Sequence, residues 1–369
     1  MIYLDHGATS FPKPASVRRA MLDAMDRCGN PGRGGYRMSM DGAKVLFECR
    51  KRASEFFECE PEQVIFTANC TQGLNMAIAT LFKAGDRVAI SGFEHNAVTR
   101  PLHGLGCQVK VAGRKLFDWD DTLEEFEHTL NSGVEGAVFT QVSNVFGYIL
   151  PVSEMAKMCR QKGIPFIIDA AQSAGKMSVS LKESDADFIA MPGHKGLLGP
   201  MGTGLLLCNR LPRPLMMGGT GSESKNQQMP DFLPDRGEAG TVNVPGIAGL
   251  CAGIVYLQRY GVDNVGRKEA DCAVRCIKGL KKLGFTVYSG EHQGGTVSFL
   301  PEMDCEEAAQ ILAREGIAVR AGMHCAPLAH ESAGTLDTGT VRISFGGDCS
   351  FGHVRAFLQA VSKLRPAEF

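Results

Sequence analysis

Six short apolar runs follow one another between Val64 and Cys208, and segments with helical periodicity separate them. The runs read VIFT, RVAIS, GAVFTQV, PFIIDA, FIAM and GLLLC. Short continuous apolar runs with this spacing are typical of parallel strands that are covered by helices on both faces. They predict an α/β domain built on a mostly parallel sheet.

Polar or ionisable residues stand at the ends of five of these runs. Ligands of open α/β sheets bind beyond the carboxyl ends of the strands, so we expect a large ligand at this edge of the sheet. The residues concerned are Asn69, Cys70, Thr71, Glu94, His95, Ser143, Asn144, Asp169, Gln172, His194 and Lys195.

From about Pro245 the pattern changes to that of a smaller α+β unit. Two helical stretches are followed by GGTVSFL, IAVRAG and TVRISFG, which read as strands. We therefore expect a large domain at residues 14–245 and a small C-terminal domain at 246–369, with residues 1–13 packing near the small one. The polar segment 218–240 is expected to extend over the site or across a subunit contact.

The charge and the cysteines restrict the class of protein. The chain carries 39 Lys and Arg against 40 Asp and Glu, with both signs mixed, so we expect neither nucleic-acid nor membrane binding. No apolar run has membrane length and the start has no signal-peptide pattern, so we expect a cytoplasmic protein.

The thirteen cysteines are scattered along the chain, which favours reduced thiols. Cys272 and Cys276 are interpreted as packing residues on one helical face.

Three features in chain order indicate a cofactor. Cys70 and Thr71 begin a helical pattern, and a helix N-terminus can bind phosphate, although an ordinary N-cap is the alternative. Asp169 ends a buried run, where a carboxylate requires a cation or a strong donor such as a protonated pyridine nitrogen. Lys195 lies among glycines in GHKGLLGPMGTG and could form a Schiff base with an aldehyde. Together these are the contacts that pyridoxal 5'-phosphate (PLP) requires, although each residue alone could be a satisfied polar core residue.

Several longer motifs of the sequence resemble those of a known protein family. They include YLDHGATSFPKP, TANCTQGLN, EHNAV, VSNVFG, IDAAQSAG, GHKGLLGPMGTG, EAGTVN, RAGMHCAPLAH and GTVRISFG. In these motifs and their order the chain resembles the class V aminotransferase family of PLP fold type I. Within that family it resembles the cysteine desulfurase and selenocysteine lyase branch, over nearly its whole length.

The resemblance implies a role for each residue at the cofactor. Lys195 would form the Schiff base, Asp169 would pair with the pyridine nitrogen, His95 would stack on the ring and Gln172 would hold the phenolic oxygen. The residues expected to bind the cofactor are Cys70, Thr71, His95, Asp169, Gln172, His194, Lys195 and, from the neighbouring subunit of a homodimer, Thr241. Lys195, Cys325 and His95 are the expected catalytic residues.

The resemblance also implies a substrate site, in which Asn144 and Arg342 hold the substrate carboxylate, with Arg320 nearby. Cys325 would accept the sulfur, and its loop resembles that of the type II desulfurases, which tend to use a sulfur-acceptor protein. From the residues alone, Cys325 could instead be a buried structural cysteine. A metal site with His324 and His330 is a further alternative, although no metal is expected.

The expected reaction is cysteine desulfuration, in which L-cysteine gives L-alanine and a persulfide on Cys325. A selenocysteine lyase or another PLP-dependent carbon–sulfur lyase is the first alternative. An aminotransferase or a non-catalytic sulfur carrier fits less well. Two departures from the family motifs bear on these alternatives, because Pro192 replaces a residue that usually donates to the phosphate, and His6 and Gly7 alter the early motif.

Overall fold

The computed structural model describes residues 1–32 and 34–364, which form thirteen strands and twelve α-helices. The strands are β1 (Ile2–Tyr3), β2 (Val64–Thr67), β3 (Arg87–Ser91), β4 (Gln108–Ala112), β5 (Gly136–Thr140), β6 (Phe166–Asp169), β7 (Phe188–Pro192), β8 (Gly204–Cys208), β9 (Thr286–Tyr288), β10 (Thr296–Leu300), β11 (Ile317–Ala318), β12 (Arg320–Gly322) and β13 (Thr340–Ser344). The helices are α1 (Ala15–Arg27), α2 (Arg37–Phe57), α3 (Cys70–Leu81), α4 (Asn96–Gly104), α5 (Trp119–Asn131), α6 (Val152–Lys162), α7 (Leu181–Ser184), α8 (Val244–Tyr260), α9 (Val262–Lys282), α10 (Cys305–Arg314), α11 (Pro327–Ala333) and α12 (Phe351–Val361).

A seven-stranded sheet has the order β2-β8-β7-β6-β5-β3-β4. The pairs from β7 to β4 are parallel, whereas β8 is antiparallel to both of its neighbours. The predicted mostly parallel sheet is therefore confirmed, and all six apolar runs form strands. The edge strand β4 was not predicted, because its sequence QVKVA is short, partly polar and largely exposed.

Alternate residues of the central strands face opposite layers. In β6, Phe166 and Ile168 belong to the core beneath α2, α5, α6 and α8, whereas Ile167 belongs to the core beneath α3 and α4. Both faces of the strands are apolar for this reason, which explains why the runs are continuous and not alternating.

A second unit contains the antiparallel sheet β12-β13-β10-β9, with α9, α10 and α12 packed around its own core. The short strand β1 pairs with β11, and Leu4 belongs to this second core. Helix α8 packs against α1 and α2. The boundary between 14–245 and 246–369 stays a prediction, and residues 365–369 lie outside the described residues. Across the described ranges, no helix combines the length and the apolar character that crossing a membrane requires.

Candidate active site

The carboxyl ends of the central strands lie along one edge of the large sheet. Because β2 and β7 are both antiparallel to β8, β2 runs in the same direction as the parallel strands. The polar residues that follow β2, β3, β5, β6 and β7 are therefore brought to the same edge. This arrangement places the candidate cofactor residues at these strand ends within one region of the molecule.

Asp169 is the last residue of β6 and is almost fully buried. Its Oδ1 accepts a hydrogen bond from the backbone N–H of Ala171 at 2.8 Å and one from the Cys70 thiol at 3.5 Å. Burial raises the pKa of Asp169, while the Ala171 hydrogen bond and the Lys195 charge act in the opposite direction. Within the described residues no cation is bonded to this carboxylate, so a ligand with a charged donor would compensate it.

The turn after β2 begins helix α3. The Asn69 side chain caps this helix by accepting a hydrogen bond from the Gln72 N–H at 2.9 Å. The N–H groups of Cys70 and Thr71 have no acceptor in the described part of the chain. These two donors and the positive end of the helix dipole face the same edge of the sheet, which suits an anion.

Lys195 lies in the turn that follows β7, and the N-terminal segment holds this turn in place. The Ser10 hydroxyl donates to the Lys195 carbonyl at 2.9 Å, and Lys13 Nζ donates to the His194 carbonyl at 2.5 Å. A Cβ atom at Gly193 would collide with Thr203, so the turn requires glycine there. Burial lowers the pKa of Lys195, which makes its amine easier to deprotonate than that of an exposed lysine.

His95 caps helix α4, and its Nδ1 accepts a hydrogen bond from the Ala97 N–H at 3.0 Å. Burial, together with the charges of Lys195 and Arg100, lowers the pKa of His95 to about 4. The ring is therefore neutral at physiological pH. It lines an open cleft of about 580 Å³ together with Thr71, Arg100 and Cys325.

Cys325 lies between β12 and α11, and all thirteen cysteines fall within the described residues as free thiols. Cys325 alone among them is exposed, so the buried structural alternative is wrong. His324 and Cys325 both adopt left-handed backbone conformations, with φ of 49° and 57°. The Asn96 N–H donates to the Cys325 carbonyl at 2.8 Å, which fixes the loop beside His95.

The residues predicted for the substrate carboxylate form a buried network. The Arg342 guanidinium bonds to Asp5 at 2.7 Å through Nη2 and to the Asn144 carbonyl at 2.9 Å through Nη1, whereas its Nε has no partner within the described ranges. The Asn144 side chain donates to the His324 carbonyl at 2.8 Å. Arg320 is half-exposed and pairs with the other Asp5 oxygen at 2.9 Å.

Two further predicted cofactor residues carry buried atoms without partners in the described part of the chain, namely Gln172 Oε1 and His194 Nδ1. The Gln172 amide nitrogen donates to the Gly7 carbonyl at 2.9 Å. Thr241 is exposed and does not line the cleft with His95. It lines a separate cleft of about 180 Å³ beside Gln72.

Sequence reasoning missed the residues that support the site. Asp5 joins two predicted substrate residues, Ser10 and Lys13 hold the lysine turn, and Asn96 holds the Cys325 loop. Asp5 could have been found, because the two neighbouring arginines required a counter-charge and it lies within the motif YLDHGATSFPKP. The backbone contacts of the other three leave no recognisable sequence pattern.

The family model Aminotransferase class-V matches residues 2–357, and the chain belongs to this PLP-dependent family. A probable cysteine desulfurase of Pyrococcus abyssi is 34% identical, and the match covers 99% of this chain and 94% of the relative. A probable cysteine desulfurase of Methanothermobacter thermautotrophicus is 32% identical, with 93% and 89% covered. These relatives confirm the predicted cysteine desulfurase branch.

Solved structures agree with this family. The apo structure of a cysteine desulfurase from Thermococcus onnurineus superimposes with a TM-score of 0.91 and 32% identity, covering 98% of this chain and 94% of the other. The Escherichia coli cysteine desulfurase CsdA has the same fold, with a TM-score of 0.84, 24% identity, and 98% and 94% covered. The predicted fold type I architecture is confirmed.

Proposed function

We propose that this chain is a PLP-dependent cysteine desulfurase that moves sulfur from L-cysteine to Cys325 and releases L-alanine. One observation carries the proposal. The only exposed thiol among the thirteen cysteines, all of which are described, stands in an open cleft with His95 and with the N-terminus of α3. The family membership supports the same chemistry.

The unsatisfied groups of the site fit PLP. Within the described residues, Asp169 is a buried carboxylate without a bonded cation, and the Gln172 amide and the His194 ring each carry one buried atom without a hydrogen-bond partner. We assign Asp169 to the pyridine nitrogen, Gln172 to the phenolic oxygen, His95 to the ring face, and the free amides of Cys70 and Thr71 to the phosphate. Pro192 donates nothing at the position where the family motif usually donates, so these amides carry more of the phosphate contact. Bound PLP would supply an electron sink for the substrate.

Arg342 and Asn144 are assigned to the substrate carboxylate. The buried Nε of Arg342 has no partner in the part of the chain that the structure describes, so it keeps a donor that Asp5 does not use. Asp5 would hold the guanidinium in place, and the half-exposed Arg320 would add positive charge where an anionic substrate approaches. The neutral amine of Lys195, whose pKa is lowered by burial, would remove the proton from the substrate α-carbon.

Cys325 would then attack the substrate sulfur as a thiolate. An S–S bond forms on Cys325 while the carbon–sulfur bond breaks, and the carbon retains the bonding electrons and takes a proton to become the methyl group of alanine. The exposure of Cys325 gives a second thiol access to the new persulfide. Such a thiol on an acceptor protein would complete the transfer.

Mass spectrometry tests the proposal directly. After the holoenzyme is incubated with L-cysteine, the peptide containing Cys325 should gain the mass of one sulfur atom, and alanine should form. Cys325→Ala should abolish both, whereas Cys107→Ala, which removes another thiol that is not fully buried, should change neither. Alanine formation that survives Cys325→Ala would contradict the proposal, and retained cleavage of selenocysteine alone would favour the lyase alternative.

We assign Thr241 to the phosphate of a partner subunit in a homodimer. Thr241 lies apart from the cleft of its own chain, and the exposed residues Leu215 and Met216 border the two clefts, which suits an interface. The thirteen free thiols suit the reducing cytoplasm. Mixing Lys195→Ala chains with Thr241→Asp chains should restore activity, because each mixed dimer then has one intact site. A mixture without activity would place Thr241 outside the partner's site.

A further inference from the structure

A cluster of three metal-ligating side chains lies outside the cofactor and substrate residues. His6, Asp348 and Cys349 each point one ligand atom into the same space, and these atoms all lie within 4.8 Å of one another. His6 and Cys349 are buried, whereas the Asp348 side chain is half-exposed. The cluster joins the segment after β1 to the loop after β13.

The distances match a tetrahedral metal ion. Zinc with bonds of about 2.0 Å to nitrogen, about 2.1 Å to oxygen and about 2.3 Å to sulfur would hold nitrogen and oxygen about 3.4 Å apart and nitrogen and sulfur about 3.5 Å apart. The His6 Nε2 lies 3.6 Å from Asp348 Oδ1 and 3.7 Å from Cys349 Sγ. These two distances suit a single ion, and the Asp348 oxygen lies within 4.8 Å of the Cys349 sulfur.

One backbone donor is directed at the sulfur of Cys349. The Gly346 N–H points to Cys349 Sγ at 3.4 Å, and such backbone donors stabilise metal-bound thiolates. A Cβ atom at Gly346 would collide with the His6 ring, so glycine is required for this approach. The carboxylate of Asp348 and a thiolate at Cys349 together would neutralise a divalent cation.

An adjacent cavity of about 210 Å³ leaves room for a fourth ligand. His6 and Asp348 line this cavity together with Lys195 of the candidate active site. Lys176 and Glu269, which also line it, form an ion pair at 2.9 Å, so their charges compensate each other. A water molecule could complete the coordination from this side.

We propose that His6, Asp348 and Cys349 bind one divalent metal ion of borderline softness, best matched by Zn²⁺, beside the candidate active site. Three protein ligands of nitrogen, oxygen and sulfur type suit this ion, whereas Mg²⁺ and Ca²⁺ prefer oxygen ligands. The metal ties together two segments that also hold the substrate residues. Asp5 precedes His6 and bonds to Arg342, and the carbonyl of Gly7 accepts from Gln172.

Metal analysis of the purified holoenzyme tests this proposal without reference to its activity. After dialysis against Zn²⁺ and removal of excess ion, elemental mass spectrometry should find about one zinc per chain, and His6→Asn or Cys349→Ala should weaken binding by a factor of about 10² or more. With Co²⁺ as the probe, the wild-type protein should show the red-region bands of tetrahedral cobalt, where PLP does not absorb, and both variants should lack them.

The controls separate this site from the other thiols. Cys305→Ala removes a buried cysteine of the same unit, and Cys325→Ser removes the exposed thiol, so neither should alter zinc binding. If the buried variants do not fold, Asp348→Asn changes a half-exposed side chain and should still weaken binding. Zinc far below one per chain in the wild-type protein, zinc retained in the cluster variants, or zinc lost with Cys325→Ser would each overturn the proposal.

Discussion

Two buried carboxylates in the candidate site are compensated in different ways. Asp5 bonds to two arginines, Arg320 and Arg342, whereas Asp169 accepts, among the described residues, only from a backbone N–H and from the Cys70 thiol. On the substrate side the buried acid is therefore paired with cations of the same chain. On the cofactor side no cation is bonded to the buried acid within the described residues, and this acid is most stable when a ligand supplies the positive charge.

Asp169→Asn should have the largest effect on activity. The amide keeps the shape of the carboxylate but cannot hold a proton on a pyridine nitrogen, so we expect kcat to fall by about 10²–10³-fold. The unfolding free energy of the apoprotein should change by less than about 1 kcal/mol, because no internal ion pair is lost. Steady-state kinetics with L-cysteine and urea unfolding measure the two effects. A large loss of apoprotein stability would show that Asp169 has an internal role like that of Asp5.

Asp5→Asn should lower the unfolding free energy of the apoprotein far more than Asp169→Asn does. It leaves the buried Arg342 guanidinium without its counter-charge, and losing one partner of a buried pair costs about 3–5 kcal/mol. Urea unfolding of the apoprotein should show this loss. Glu135→Gln is the matched control, because Glu135 pairs with Arg87 at the surface and its loss should cost less than about 1 kcal/mol. If Asp5→Asn and Glu135→Gln lowered the unfolding free energy equally, the buried ion pair of Asp5 would contribute no more than a surface pair.

The difference between the cofactor side and the substrate side also explains which residues could be predicted from the sequence. All strands of the large sheet except β4 were recognisable because both of their faces are buried, and Asp169 and Lys195 were recognisable because each ends such a strand or follows it closely. Local pattern and topology are enough to place residues at the carboxyl ends of neighbouring parallel strands.

The substrate side depends on contacts between distant segments. Asp5 meets Arg342 through the pairing of β1 with β11 and of Asp5 with Ser344, and no local periodicity reveals such a register. The cluster of His6 with Cys349 could not be predicted for the same reason, because these two residues are 343 positions apart in the sequence. The resemblance to a family supplied Arg342 and Cys325, but it did not supply the residues that position them.

The smallest expected effect is a loss of stability in acid, where buried histidines become protonated. Burial lowers the pKa of both His95 and His194 to about 4, from 6.5 in the unfolded chain. Their contribution to stability is therefore complete above pH 6.5 and is lost as the pH falls towards 4, because the unfolded chain then binds more protons. The urea midpoint of the apoprotein should be lower at pH 5 than at pH 7.

His95→Gln tests whether His95 contributes to this acid sensitivity. The variant should lose less stability than the wild-type protein between pH 7 and pH 5, because one buried proton acceptor has been removed. His103→Gln alters an exposed histidine and should leave the wild-type pH dependence in place. If the urea midpoints of both variants depend on pH as that of the wild-type protein does, His95 contributes nothing to the acid sensitivity. The loss of stability in acid must then come from other buried histidines such as His194.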